Sequence, residues 1–247
     1  MSKVLLAVAG LSLALAAPAW AKQPARGAAS VRHAPPAAKV SQPAAAAIDI
    51  EPSAATARVA EWVAGSGDNG ALPYAIVDKS AATVFLFDAK GQAIGAAPVL
   101  VGVAVGDDAT PGIGSKNLAE IGPAEKTTPA GRFLAKFGLA GKQKVLWVDY
   151  ATSVGLHPIP ATSPKSERRR ERMLSPDPEE HRITFGCINV PAAFYRRVSP
   201  LFARKGGYVY VLPDTRPIED VFPRLVVDEV ANATRGDGGV EQAVALR

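Results

Sequence analysis

Short apolar, β-type runs recur along much of this chain and are separated at short intervals by turn residues, and one of them alternates apolar with polar positions. Tyr74-Ala75-Ile76-Val77 and Thr83-Val84-Phe85-Leu86-Phe87 are β-type runs separated by Asp78-Lys79-Ser80, and Asp88-Ala89-Lys90-Gly91 closes the second. Pro98 to Val105 is another apolar, β-branched run. Phe133, Ala135 and Phe137 alternate with Arg132 and Lys136 after the turn Thr128-Pro129-Ala130-Gly131, the pattern of a half-buried strand. Val145 to Tyr150, Ser153 to His157 and Gly207 to Leu212 complete the predicted strands, the last stopped by Pro213. Helical spacing occurs in few places. Phe194, Val198, Leu201 and Phe202 recur at that spacing after Pro191, a residue suited to a helix start. Ser53 is positioned to cap a short helix through Trp62 that ends near Gly65. The pattern predicts a mainly β domain over residues 71–213, with a helical preface over 48–70 and a partly ordered tail without chemistry over 214–247.

The N-terminus has a different composition. Lys3 precedes an apolar run from Val4 to Ala17, too short to span a bilayer comfortably, and Ala19-Trp20-Ala21 offers small residues at a cleavage site. Residues 1–21 therefore read as a secretory signal peptide, and no later stretch reads as a membrane anchor. Residues 22–47 are mostly Ala and Pro, carry Lys22, Arg26, Arg32 and Lys39, and read as a disordered cationic linker. The net charge of +5 suits an anionic cell envelope. No basic patch interleaves with aromatics, so nucleic acid is not expected as a partner.

The single cysteine changes the picture most. In an oxidising compartment one cysteine cannot form an internal disulfide, so Cys187 is buried, paired with another molecule or reactive. It lies in Arg182-Ile183-Thr184-Phe185-Gly186-Cys187-Ile188-Asn189-Val190-Pro191, just ahead of the predicted helix. A helix N-terminus there would stabilise the thiolate and lower its pKa, and the N–H groups around Gly186 and Cys187 are candidate oxyanion donors. A thiol nucleophile needs a base. His157 ends a strand and is followed by Pro158, whereas His181 closes the acidic loop Asp177-Pro178-Glu179-Glu180, so His157 is the preferred candidate. A zinc site from His157, His181 and Cys187 lacks a fourth ligand at a familiar spacing, and neither metal nor other cofactor is expected. Between His157 and Cys187 lies a charged insertion, Ser163 to Leu174, predicted as a helix from Pro164. It is either a solvated surface helix or a cationic lid whose arginines meet substrate carboxylates.

In their order along the chain, Thr128-Pro129-Ala130-Gly131, Leu156-His157 and Thr184-Phe185-Gly186-Cys187-Ile188-Asn189 resemble the L,D-transpeptidase catalytic domain, also called the YkuD domain, of bacterial cell-wall enzymes. The resemblance implies a β-sandwich-like fold and a periplasmic enzyme whose partners are peptidoglycan stem peptides. It implies acyl transfer through a Cys187 thioester, giving a 3–3 cross-link. His157 matches the general base, Gly186 and Cys187 the oxyanion region, Thr184 the Ser/Thr of the motif, and Asn189 the position where Arg or Asn is usual. Phe185 stands where His is common, Pro158 follows the base where Gly is usual, and the interval between base and nucleophile is long. Thr184, Phe185, Asn189 and Arg182, at the head of the block, are taken as substrate-binding candidates. Two other readings are open: an L,D-carboxypeptidase that uses water as acceptor, and a catalytically weak domain that binds peptidoglycan or an envelope protein. An envelope protein is also a possible acyl acceptor.

Overall fold

The computed structural model describes residues 50–244, with side chains described for 50–234. The expected signal peptide and linker lie outside the described residues. The elements are α1 (Ala54–Ser66), β1 (Tyr74–Asp78), β2 (Thr83–Phe87), β3 (Ala93–Pro98), β4 (Val101–Gly102), β5 (Gly131–Ala140), β6 (Gln143–Asp149), β7 (Val154–Pro158), α2 (Arg169–Arg172), β8 (Arg182–Thr184), β9 (Ile188–Val190), α3 (Ala192–Phe202), β10 (Gly207–Val211), α4 (Ile218–Val221) and α5 (Pro223–Val244). Eight strands form one sheet in the order β3-β2-β1-β10-β5-β6-β7-β9, and β4 and β8 form a separate two-stranded ladder. The protein is mainly β, as the short runs and turns predict.

Alternation also explains the two cores. In β1, Ala75 and Val77 enter one cluster while Tyr74 and Ile76 enter the other. The first cluster takes residues from all eight strands of the large sheet, from Ala97 on β3 to Ile188 and Val190 on β9, together with Phe194, Val198 and Phe202 of α3. One core touched by every strand requires the sheet to roll around it, which is the sandwich-like form. The second cluster packs Val59, Trp62 and Val63 of α1 against Tyr74, Phe85, Tyr210, Phe222 and Leu225. Those α1 residues sit at i, i+3 and i+4, and the Ser53 hydroxyl caps the helix by accepting from the Thr56 N–H at 3.0 Å.

Four expectations about elements need correction. The run from Pro98 to Val105 yields only the two-residue β4, and the preceding Ala93–Pro98 is the longer strand β3. Its Ala and Gly content hides it from a β-branched criterion. Strands β8 and β9, three residues each, were not predicted on either side of Cys187. The charged insertion is not one helix. A 3-10 turn over Lys165–Glu167 is separated from the four-residue α2 by Arg168 in the left-handed region at φ 48°. Finally, the tail is helical. Phe222 and Leu225 anchor α4 and α5 in the second core, the Asp228 carboxylate accepts from Trp62 Nε1 at 2.9 Å, and Arg58 pairs with Glu229 at 2.8 Å. The Gly-rich composition behind the expectation of a partly ordered tail lies further on, at Gly236, Gly238 and Gly239.

Candidate active site

Strands β7 and β9 lie side by side and parallel, with Leu156 opposite Ile188, His157 opposite Asn189 and Pro158 opposite Val190. Cys187 immediately precedes β9, two residues before Asn189, and so shares its face. This register sets His157 beside Asn189, two residues along the chain from Cys187.

His157 is half-buried, and its Nδ1 lies 2.8 Å from the Pro158 carbonyl oxygen. A carbonyl can only accept, so Nδ1 carries the proton and Nε2 of the neutral ring keeps a lone pair. Burial lowers the His157 pKa, the Pro158 carbonyl opposes that shift, and the nearby Arg169 charge adds to it. The ring is thus held in a form able to accept a proton at neutral pH.

Cys187 retains partial solvent exposure, and its Sγ contacts the Ser153 carbonyl oxygen at 3.8 Å. Burial pushes the thiol pKa up, against the opposing pull of the Gly155 N–H and the Arg169 charge. This overturns the expected helix-stabilised thiolate. Helix α3 begins only at Ala192, after β9, and Pro191 is its N-cap rather than its first residue. The ladder to β7 keeps Ile188, Asn189 and Val190 extended, so the helix dipole is too far along the chain to act on the sulfur.

The loop carrying the thiol is braced from within. Gly186 adopts φ +121°, and a Cβ there would meet the Thr127 carbonyl oxygen at 2.6 Å, so only glycine fits. Its N–H donates to Thr184 Oγ1 at 3.1 Å, and its carbonyl accepts from Thr128 Oγ1 at 2.8 Å. The Thr184 hydroxyl in turn donates to the Cys187 carbonyl at 2.6 Å. Two expectations change here. The Gly186 N–H is engaged by Thr184 rather than open to an oxyanion, and Thr184 is a buried brace rather than a substrate contact. Thr128, read from sequence only as part of a turn, joins that turn to the nucleophile loop.

The other candidates divide. Phe185 is 39% exposed, with the Lys126 ammonium 3.8 Å from its ring centroid. Asn189 is fully buried. Its Oδ1 accepts from Arg169 Nη1 at 2.8 Å, while its Nδ2 has no partner among the described residues. Arg182 is corrected. Its guanidinium donates to the Asp214 carboxylate at 2.9 Å in a buried ion pair and is not presented to a substrate. His181 is buried between two loop carbonyls, with Nδ1 2.7 Å from the Val99 oxygen and Nε2 3.0 Å from that of Ser175, and is not presented to a substrate. Arg169 is the residue that sequence reading did not single out. It was one of several insertion arginines, and only the backbone reversal at Arg168 separates it from its exposed neighbours.

No protein-family model matches this sequence, and no curated protein matches it. Among solved structures, it is similar to the catalytic domain of an Enterococcus faecium L,D-transpeptidase determined by NMR, at 18% identity over 56% of this chain and 95% of that one, with a TM-score of 0.36. It is also similar to a crystal structure of a cysteine-to-serine mutant of an E. faecium L,D-transpeptidase, at 17% identity and a TM-score of 0.33. That match covers 56% of this chain and 49% of the other, so the chain spans about half the length of that protein.

Proposed function

We propose that this protein is an exported, periplasmic cysteine acyltransferase acting on peptidoglycan stem peptides. The observation that supports the reading is the β7–β9 register, which pairs His157 with Asn189, two residues from Cys187, together with the Nδ1–Pro158 contact that leaves Nε2 of the neutral ring its lone pair. The raised thiol pKa means that the thiolate is not stored in the resting protein. Deprotonation is therefore coupled to attack. As Cys187 Sγ bonds to the carbonyl carbon of the third stem residue, its proton passes to His157 Nε2. Collapse of the tetrahedral intermediate breaks the C–N bond, and the departing terminal residue takes that proton on its amine. The thioester is then attacked by the amine of a second stem, whose proton returns through His157 to the sulfur, giving a 3–3 cross-link. With water as acceptor the same steps release a tripeptide. The reading calls for no metal or cofactor, and no described helix is long and apolar enough to cross a membrane.

A second reading, a domain of this fold that binds peptidoglycan with little chemistry, is favoured by the same raised thiol pKa and by the engaged Gly186 N–H. One experiment separates them. Incubating the protein with disaccharide-tetrapeptides, beside Cys187→Ala, should give cross-linked dimers or tripeptides by mass, and these should vanish in the mutant. No product, together with equal binding of sacculi by both proteins, would establish the binding reading instead.

A further inference from the structure

The charged insertion delivers one side chain to the site. Arg168 at φ 48° turns the chain so that Arg169 points inward, its side chain only 11% exposed, while Arg168 and Arg170 remain exposed. Arg169 Nη1 donates to Asn189 Oδ1 at 2.8 Å, and Nε donates to the Glu167 carboxylate at 2.6 Å. Because a guanidinium only donates, the Asn189 oxygen must face it, which leaves Nδ2 as a second, fully buried donor without a partner among the described residues. Asn189 is in register with His157. Arg169 also lines a cleft of about 450 Å³ with Ile159, Pro160, Lys165 and Arg170, which opens where the chain leaves β7.

These positions have a chemical consequence if acyl transfer is the reaction, and the inference rests on that reading. The leaving amine must receive its proton from His157, so the departing residue lies on the His157 side of Cys187. Its carboxylate is then only two bonds from that amine and next to Asn189. We propose that Arg169 and the Asn189 amide form a subsite for the C-terminal carboxylate of the acyl donor, and that Glu167 occupies the Arg169 guanidinium until the donor displaces it. Glu167 is thus an internal competitor. It keeps a buried cation paired in the free protein and makes entry selective for a ligand that brings its own carboxylate, which two parallel N–H···O bonds favour over a neutral group.

The test uses the full chain carrying Cys187→Ala, so that binding is read without turnover. Calorimetric titration with a stem tetrapeptide and with its C-terminal carboxamide should show the acid binding tighter by about tenfold or more, the usual range for a charge-assisted pair. Arg169→Gln should erase that preference, with folding checked by thermal melting. Glu167→Gln, which leaves both Arg169 and Asn189 in place, should tighten the acid and leave the amide unchanged. Equal binding of acid and amide, undetectable binding of the acid, or a preference that survives Arg169→Gln would overturn the subsite. So would Glu167→Gln failing to tighten the acid. If the preference is found but the wild-type protein forms no product, the subsite stands and the acyl-transfer reading falls. If the wild type turns over acid and amide equally, transfer stands and the subsite falls.

Discussion

Two polar clusters meet at the nucleophile loop, and they are built on opposite rules. In the first, Lys79 is fully buried and its Nζ donates to the carbonyls of Gly106 at 2.6 Å and Thr128 at 3.0 Å, and pairs with Asp107 at 3.1 Å and Asp214 at 3.2 Å. Asp107 accepts from the N–H groups of Asp214, Thr215 and Arg216 and from the Thr215 hydroxyl. Lys79 and Asp107 thus have their capacity met, and the cluster ties the loop after β4, the Thr128 turn and the chain after β10 into one rigid body. In the second cluster, His157 Nε2 keeps its lone pair, Asn189 Nδ2 has no partner among the described residues, and burial disfavours the ionised thiol. An unmet buried donor costs stability, and a thiol kept protonated by burial forgoes the nucleophilic form. The contrast teaches that rigidity and reactivity are separated here, with the satisfied cluster holding Thr128, and Thr128 holding Gly186 beside Cys187.

The comparison breaks most sharply at His157. Replacing it with Gln removes the ring that the proposed mechanism uses to exchange the proton and should lower kcat/KM by about a hundred- to ten-thousandfold, the usual span for a general base. Its melting temperature should change little, since the ring contributes one hydrogen bond at a half-buried site. Because burial sets the His157 pKa below the ordinary value, the acid limb of kcat/KM should fall below about pH 6.5. Thiol alkylation should accelerate only above the ordinary cysteine value of about 8.5. An acid limb near neutrality, or rapid alkylation at pH 7, would show that the two groups share a charge in the resting state.

The opposite cluster should respond in stability rather than chemistry. Asp107→Ala removes one of the two carboxylates paired with the buried Lys79 cation and frees four donors, and should cost about 3 kcal/mol or more in urea unfolding, since each buried donor left unsatisfied costs about 1–3 kcal/mol. Burial alone would raise the Asp107 pKa, but the Thr215 hydroxyl and the N–H groups of Asp214, Arg216 and Thr215 outweigh it and hold the carboxyl well below the ordinary range. A carboxylate depressed in the folded state contributes its full stabilisation above its unfolded value of about 4 and loses it as pH falls further. The wild type should therefore weaken on acidification below about pH 4, and Asp107→Ala should weaken less over the same interval. Equal slopes would mean that the cluster is not what holds this end of the fold.

Sequence reading reached these clusters unequally. The strands β1, β2, β5, β6, β7 and β10 are legible because their side chains alternate between two buried faces, or between core and solvent. The pairing of β7 with β9 is not, because three residues carry too little periodicity and a parallel neighbour leaves no turn signal. His157 and Cys187 could be named from their chemistry, while the state of the thiol depended on whether β9 or a helix followed it. Lys79 reads as a turn residue between β1 and β2. Its partners Asp107 and Asp214 are distant in sequence, and a lysine is almost never buried without such partners. Arg169 is hidden among like residues for the same reason: its direction is fixed by one left-handed backbone position, not by composition.

Phe185 offers the finest comparison, because it lies beside the thiol yet belongs to neither cluster. Its ring is 39% exposed and stacks under the Lys126 ammonium, while the neighbouring Thr127 and Gly186 are packed backbone to backbone. A cation over an exposed ring contributes about 0.5–1 kcal/mol. Phe185→Leu should therefore lower stability by no more than that, and the loss should disappear when Lys126 is already Ala, as a double-mutant cycle would show. The loop geometry is set by Thr184, Thr128 and Gly186 rather than by the ring, so the pH dependence of Cys187 alkylation should be unchanged in Phe185→Leu. A shifted alkylation profile would mean instead that the Lys126 charge, released from the ring, reaches the sulfur, and Phe185 would then be a shield that keeps the thiol in its protonated resting form.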